Sequence, residues 1–149
     1  MKDKSHTILI VENDISYTDF IKNILCNSGY KTLTAFTTDE GIGFSETNDI
    51  SLLLIDVNFC NDINGTDSVM QILSKKNVPH IFIYSATQPE MIEKISDIPS
   101  YGYIMKNSAD IILLSAIDSA LKLYDLHNTT KNHLLEIEDF NEKLQASME

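Results

Sequence analysis

The chain has 149 residues, enough for one domain that buries most of its apolar surface in a single core. Its 22 acidic and 11 basic residues give a net charge of -11, which argues against a nucleic-acid-binding surface, because neutralising phosphates requires clustered Lys and Arg. Cys26 and Cys60 lack the spacing of a zinc site, and no apolar run is long enough for a signal peptide or a membrane span, so we expect a soluble, cytoplasmic protein with reduced thiols.

The first two predicted strands are each followed by a helix. Residues 7–11 are rich in β-branched and apolar side chains, which predicts a strand, and residues 15–28 repeat apolar side chains at helical spacing until Gly29 ends the helix. The helical face expected to pack on the core contains Ile15, Phe20, Ile21, Ile24 and Leu25. Residues 30–36 alternate as a second strand, and residues 39–46 predict a short helix with an N-cap at Thr37 or Thr38.

Three more strands follow at similar intervals. The apolar run 52–55 is the third strand, and residues 65–75 show helical spacing after a polar loop. Residues 81–84 form the fourth strand, a weaker helix is predicted at 89–95, and residues 101–105 form the fifth strand. The last helix follows that strand, so the order is five β-α units.

The chain from Ser108 onward contains no Gly or Pro, which predicts a long C-terminal helix. Residues 127–130 are a polar interruption, so we divide the chain into a domain at 1–126 and a helical tail or linker at 127–149. A 3-4-3-4 spacing, typical of a dimeric coiled coil, is set by Leu134, Ile137, Asn141, Leu144 and Met148. The run is shorter than the roughly three or four heptads of a sustained signal, and we favour the linker.

Helical crossovers of this length connect parallel neighbouring strands, so the expected fold class is α/β, a three-layer sandwich with helices on both faces of a parallel sheet. Five strands fit the doubly wound, flavodoxin-like order 2-1-3-4-5. In this order the first and third strands are neighbours, and the fourth and fifth strands follow on the same side.

Polar residues stand where four of the predicted strands end. These residues are Glu12-Asn13-Asp14, Asp56, Ser85 and Lys106. Because the carboxyl ends of parallel strands meet at one edge of the sheet, we expect one crevice to hold carboxylates, a hydroxyl and an ammonium. That combination suits a metal-bound phosphoryl group.

The chemistry assigns a role to each residue type. A carboxylate that attacks a phosphoryl group faces charge repulsion, so a divalent cation must bridge the oxygens, and Asp56 and the Glu12 side would supply its ligands. Lys106 provides a compact positive charge for the phosphoryl oxygens, and the Ser85 hydroxyl can donate to one of them.

Over residues 7–126 the chain resembles the receiver domain of two-component response regulators. The matching motifs are Ile8-Leu9-Ile10-Val11-Glu12, Leu53-Leu54-Ile55-Asp56-Val57-Asn58, Asn64-Gly65, Tyr84-Ser85-Ala86 and Gly102-Tyr103-Ile104-Met105-Lys106. The loop at 58–64 lacks the proline common after the phosphoacceptor and looks more like receivers linked to sensor kinases or PAS domains.

The resemblance implies a phosphoacceptor switch. Asp56 would accept a phosphoryl group from a phosphohistidine on a sensor histidine kinase or phosphotransfer protein, with Mg²⁺ (or Mn²⁺) as the cofactor. The implied metal ligands are Glu12, Asn13, Asp56 and the backbone carbonyl of Asn58.

Ser85 and Tyr103 occupy the family's switch positions, and their movement would change the face formed by the fourth helix, fifth strand and fifth helix. That face, or the C-terminal helix, would be the contact of a homodimer. No nucleic acid or membrane is expected as a partner.

The sequence departs from the family pattern at two further positions. Asn13 stands where the family has the acid that contacts magnesium directly, and either the Asn13 side-chain oxygen or Asp14 would compensate. Asn107 stands where a proline usually follows the lysine, so the turn is expected to be trans and looser.

Two alternative functions remain open. Asn13 favours a degenerate receiver that binds a partner without phosphorylation, whereas retained Asp56, Ser85 and Lys106 speak against it. A small phosphohydrolase with Asp56 as nucleophile is less favoured, since Asn58 stands where such enzymes place the acid that protonates the leaving group. We therefore expect no enzymatic activity beyond phosphorylation and dephosphorylation of Asp56 itself.

Overall fold

The computed structural model describes residues 6–57, 78–85, 93 and 100–147. Its strands are β1 (Thr7–Val11), β2 (Lys31–Ala35), β3 (Leu52–Asp56), β4 (His80–Tyr84) and β5 (Tyr103–Met105). Its helices are α1 (Ile15–Asn27), α2 (Thr38–Thr47) and α3 (Asp110–Ser147). The predicted helix at 65–75 and, apart from Glu93, the one at 89–95 lie outside the described residues.

The strands form one parallel sheet in the order β2-β1-β3-β4-β5, which confirms the predicted topology. Val11 pairs with Ile55 across β1 and β3, and Asp56 pairs with Ile83 across β3 and β4. Ile83 in turn pairs with Ile104 in β5. This register brings the carboxyl ends of the central strands to one edge of the sheet.

Two apolar clusters lie on the two faces of the sheet because alternate residues of a strand point to opposite sides. One cluster packs alternate strand residues against α1 and α3, and includes Ile10, Leu54, Ile83, Ile21 and Ile117. The other packs the intervening residues toward α2, and includes Val11, Ile55, Phe82, Ile42 and Phe44. The described helices therefore cover both faces, as a three-layer α/β sandwich requires.

Helix α1 begins and ends with recognisable caps. The Asp14 side chain accepts a hydrogen bond from the Tyr17 N–H at 3.2 Å, which satisfies one of the free donors of the first turn. At the other end Gly29 has a φ of 94°, and the Tyr30 N–H donates to the Leu25 carbonyl at 3.0 Å. This is the left-handed glycine termination that the sequence predicted.

The buried face of α1 differs from the prediction. Ile21 and Leu25 are buried as expected, but Ile15 is 65% and Phe20 is 45% exposed. Tyr17 and Thr18 are buried instead. The predicted face was wrong at its first turn, because apolar character alone was used to select it and Tyr17 lies one turn before Ile21 on the same side.

Two differences concern the C-terminal third. β5 begins at Tyr103 rather than at residue 101, although the Tyr101 N–H still donates to the His80 carbonyl at 2.9 Å. The polar segment 127–130 does not interrupt α3, because the hydroxyls of Thr129 and Thr130 donate to the carbonyls four residues earlier at 2.9 and 3.0 Å. No helix in the described part of the chain is long and apolar enough to cross a membrane.

Candidate functional site

Four predicted site residues lie on the same side of the sheet. Asp56 lies two residues after Leu54 in β3, and the same step leads from Ile10 to Glu12, from Ile83 to Ser85 and from Ile104 to Lys106. Leu54 and its three counterparts all belong to the cluster that α1 and α3 cover. Because side chains alternate along a strand, the four polar residues lie on that side, just past its carboxyl edge.

The centre of the site is a pair of carboxylates that share one ammonium. Glu12 and Asp56 are both fully buried. Lys106 Nζ lies 3.2 Å from Glu12 Oε1 and 3.2 Å from Asp56 Oδ2, and both contacts are hydrogen bonds. Lys106 Nζ also lies 3.1 Å from Glu12 Oε2, but this contact does not have the geometry of a hydrogen bond. Among the described residues, Glu12 Oε2 is therefore near a positive charge but accepts no hydrogen bond.

Within the described ranges one positive charge faces two carboxylates, so the pair is electrostatically unbalanced. Burial, followed by a hydrogen bond and the charge repulsion from Asp56, raises the pKa of Glu12 from 4.5 to about 7. The pKa of Lys106 is affected most by burial, which lowers it, but hydrogen bonds and charges from Glu12 and Asp56 outweigh that effect and raise it. Lys106 therefore stays charged, and Glu12 gains or loses its proton near neutral pH.

Tyr17 belongs to the site, although the sequence analysis did not select it. Lys106 Nζ lies 5.2 Å from the centroid of its ring, within range of a cation–π contact. Burial and the charges of Glu12 and Asp56 raise the pKa of Tyr17 to about 12, so its hydroxyl stays protonated. The i, i+4 spacing of Tyr17 and Ile21 was the available signal.

The three polar residues that follow β1 have different surroundings. Asn13 is exposed, while Asp14 caps α1 with its side chain and donates its backbone N–H to Glu12 Oε1 at 3.0 Å. The Asp14 side chain is thus used at the helix N-terminus, and its N–H orients Glu12. Asn58, predicted to offer a backbone carbonyl, lies outside the described residues.

The two predicted switch residues lie on different sides of the sheet. Ser85 is half-buried and directly follows β4 on the side of Asp56. Tyr103 is 40% exposed and stacks on Phe82 of the opposite cluster, with ring centroids 5.9 Å apart. Ser85 therefore lies at the edge of the acidic site, whereas Tyr103 lies on β5 at the opposite face of the sheet.

Asn107 takes a backbone conformation that the family's usual proline cannot adopt. Its φ is 67°, in the left-handed region where Asn and Gly are tolerated, and its peptide bond with Lys106 is trans. Proline is locked near a φ of about -65°. The Lys106 N–H donates to the Tyr84 carbonyl at 2.7 Å, so the strand ladder continues up to this turn and fixes the start of the lysine side chain.

The donor set fits a small divalent cation. Within the part of the chain that the structure describes, no three His, Cys, Asp or Glu side chains group closely enough to hold a metal ion. Mg²⁺ needs only one or two carboxylates and keeps several waters, and Glu12 with Asp56 meets that requirement. The Glu12 oxygen without a directed donor, and the charge left over after Lys106 is counted, favour a further cation at this pair.

A doubly wound α/β sheet with buried acids and a lysine at its carboxyl edge defines a flavodoxin-like protein with an acidic pocket. The sequence matches the family described as response regulator receiver domain over residues 8–118. The chain therefore belongs to the receiver-domain family of two-component response regulators. Members of this family are signalling modules rather than enzymes in the usual sense, and they interact with histidine kinases or phosphotransfer proteins.

Individual relatives agree with this assignment. The Bacillus subtilis (strain 168) protein named uncharacterized transcriptional regulatory protein YcbL is 26% identical over 115 residues, which are 76% of this chain and 50% of that protein. The chain thus spans half the length of this relative.

Solved receiver structures match over most of this chain. One is the N-terminal domain of a response regulator/sensory box/GGDEF three-domain protein from Carboxydothermus hydrogenoformans, with 30% identity and a TM-score of 0.72, covering 81% of this chain and 98% of that one. Another is a CheY-like receiver domain protein from Methanospirillum hungatei JF-1, with 26% identity, a TM-score of 0.72 and coverage of 82% and 98%.

The raised pKa of Glu12 predicts a pH-dependent stability. Between about pH 4.5 and 7 the folded protein keeps a proton that the unfolded chain has lost, so the free energy of unfolding falls as pH rises and levels off above 7. Glu12→Gln cannot ionise, and in metal-free buffer it should be more stable than the native protein at pH 8, by on the order of 3 kcal/mol at most. Urea unfolding at pH 5 and pH 8 measures this difference.

The matched control is Glu136→Gln on the exposed part of α3, which should follow the native protein at both pH values. If Glu12→Gln exceeds the native protein in stability by the same amount at pH 5 and pH 8, or at neither pH, the raised pKa of Glu12 would be contradicted.

The turn at Asn107 gives a second prediction. Asn107 is exposed, so substitutions there test the backbone rather than packing. Asn107→Gly should leave stability nearly unchanged, Asn107→Ala should cost about 1–2 kcal/mol, and Asn107→Pro should cost more than Asn107→Ala. Urea unfolding midpoints rank the three variants, and a Pro variant as stable as the Gly variant would refute the left-handed turn.

Proposed function

We propose that this receiver is a phosphoacceptor switch in which Asp56 takes a phosphoryl group from a phosphohistidine of a sensor histidine kinase or phosphotransfer protein. The observation that carries the proposal is the buried Asp56, held 3.2 Å from Lys106 Nζ, with Glu12 sharing the same ammonium. A buried carboxylate with a fixed cation at one oxygen is arranged for electrostatic stabilisation of a transferring phosphoryl group.

The transfer moves the phosphoryl group between two nucleophiles. A carboxylate oxygen of Asp56 forms the new O–P bond as the P–N bond to the donor histidine breaks, and the electron pair of that bond returns to the imidazole. Lys106 is positioned to donate to the phosphoryl oxygens, and the Asp14 N–H keeps Glu12 turned toward Asp56. Bound Mg²⁺, held by Glu12 and Asp56 with oxygens of Asn13 and Asn58, would offset the negative charge that develops.

Signalling would follow from the charge that the phosphoryl group adds. A phosphoryl group brings roughly two negative charges and three acceptor oxygens, which compete for Lys106 and recruit the Ser85 hydroxyl. Ser85 follows β4 directly, and Tyr103 stacks on Phe82 of the same strand, so a displacement of β4's end reaches the outer face of β5. In this proposal that face, with the helices beside it, changes its preference for partners.

A degenerate receiver that binds partners without phosphorylation is the alternative. Asn13 favours it, because the acid of the family pattern is missing and Asp14 is already used to cap α1. The intact set of Asp56, Lys106 and Glu12 favours the phosphoacceptor. The two functions differ in one observable, the incorporation of phosphate at Asp56.

Phosphorylation by a small donor tests the acceptor. With acetyl phosphate and Mg²⁺, intact mass spectrometry should show one phosphoryl group on the native protein and none on Asp56→Asn. Asp49→Asn, an exposed aspartate before the opposite end of β3, is the matched control and should be phosphorylated like the native protein. Undiminished incorporation in Asp56→Asn would reject the acceptor, and no incorporation in the native protein would favour the degenerate receiver.

Magnesium affinity tests the role of position 13. Asn13→Asp restores a second acid to the loop, and it should bind Mg²⁺ more tightly than the native protein, because Mg²⁺ prefers charged oxygen ligands. Calorimetric titration of both proteins at pH 8, where Glu12 is ionised, measures the difference. Equal affinities would show that position 13 does not contact the cation.

A further inference from the structure

The last part of α3 extends beyond the sheet. Every residue at 131–147 is exposed, so nothing in the described part of the chain covers this segment. It nevertheless carries large apolar side chains, and most of the stability of helices in proteins comes from packing such a face. We call the exposed apolar residues on one side of this segment, and of the turns just before it, the apolar stripe. They are Leu123, Leu126, Leu134, Ile137, Phe140 and Leu144.

The stripe is separate from the face that packs on the sheet. Leu121 is buried, whereas Leu123 is exposed, and two residues turn a helix by about 200°. The stripe therefore starts where α3 leaves the domain, and Leu123 is turned away from the domain core.

The stripe follows a heptad. Leu134 and Asn141 occupy a positions, Leu123, Ile137 and Leu144 occupy d positions, and Leu126 and Phe140 flank them at g. Between Leu123 and Leu134 the a and d positions are the polar residues His127 and Thr130, so the apolar a and d positions are concentrated between Leu134 and Leu144. Because α3 is continuous through 127–130, Leu123 and Leu126 stay in the same register as the residues from Leu134 onward.

We infer that α3 pairs with α3 of a second copy of this chain as a parallel, two-stranded, in-register coiled coil. Asn141 identifies the occupant. At an a position it faces the same residue of the second copy only if the helices are parallel and in register, and each side-chain amide then offers the other a donor and an acceptor. A shift of one heptad would place the amide against Leu134, which costs free energy.

The charges of α3 agree with this arrangement. The intrahelical ion pairs Asp118–Lys122, at 2.9 Å, and Asp139–Lys143, at 3.1 Å, occupy f and c positions on the side away from the stripe. His133 at g faces Glu138 at e of the second copy in a parallel pair, where the imidazole N–H can donate to the carboxylate.

Two adjacent leucines allow the effect of the stripe to be distinguished from a general loss of exposed apolar surface. Leu134 is 57% and the adjacent Leu135 is 54% exposed, but only Leu134 belongs to the stripe, since Leu135 occupies a b position. Light scattering of the full native chain should give twice the 16.8 kDa of one copy. Leu134→Lys should raise the dimer dissociation constant at least tenfold, and Leu135→Lys should leave it unchanged.

A cysteine cross-link tests direction and register. In a Cys26→Ser, Cys60→Ser background, Leu144→Cys should form a disulfide-linked dimer on mild oxidation, and Leu135→Cys should not. An antiparallel pair would place position 144 far from its counterpart, so absence of the Leu144→Cys link overturns the parallel arrangement.

A native monomer, a trimer, or a dimer indifferent to Leu134→Lys would each overturn the proposal. Because Asp56 is remote from the stripe in the chain and contributes nothing to it, Asp56→Asn should dimerise like the native protein, so failure of phosphorylation and failure of pairing are separately observed.

Discussion

Two carboxylates that share one ammonium in a buried position determine the properties of this receiver. Among the described residues, Lys106 is the cation that contacts both Glu12 and Asp56, and both carboxylates are fully buried. Burial, with a smaller effect of Asp56, raises the pKa of Glu12 and gives the pair affinity for a proton or a further cation. A site with excess negative charge of this kind can bind a cation, and a phosphoacceptor needs such a cation to accept a phosphoryl group.

The sheet imposes this geometry through its register. Pairing of Val11 with Ile55 and of Ile83 with Ile104 aligns the carboxyl ends of strands that are far apart in sequence, and the two-residue repeat then puts Glu12, Asp56 and Lys106 on one side. The packing that fixes the register is the same apolar cluster on which α1 and α3 rest. A one-residue slip of any strand would turn its polar end residue to the opposite face, so core packing and site assembly depend on each other.

Much of the site could be predicted from the sequence because strand ends and topology obey simple rules. Buried apolar runs identified the strands, their order followed from the β-α alternation, and Glu12, Asp56 and Lys106 do meet as that order requires. Tyr17 was missed because its place beside Lys106 depends on how α1 lies on the sheet, which helical periodicity does not specify. The long C-terminal helix was predicted from the absence of Gly and Pro after Ser108. The predicted interruption at 127–130 was wrong, because threonine hydroxyls there bond back to the helix.

The protonation of Glu12 tests the central interaction most directly. Carbon-13 NMR of the side-chain carboxyl groups, followed against pH without Mg²⁺ and assigned with Glu12→Gln, reports the titration of this one residue. Burial of Glu12 beside Asp56 predicts a midpoint near 7, moved to lower pH when Mg²⁺ is added. A midpoint near the ordinary 4.5, unchanged by Mg²⁺, would contradict the buried carboxylate pair on which the account depends.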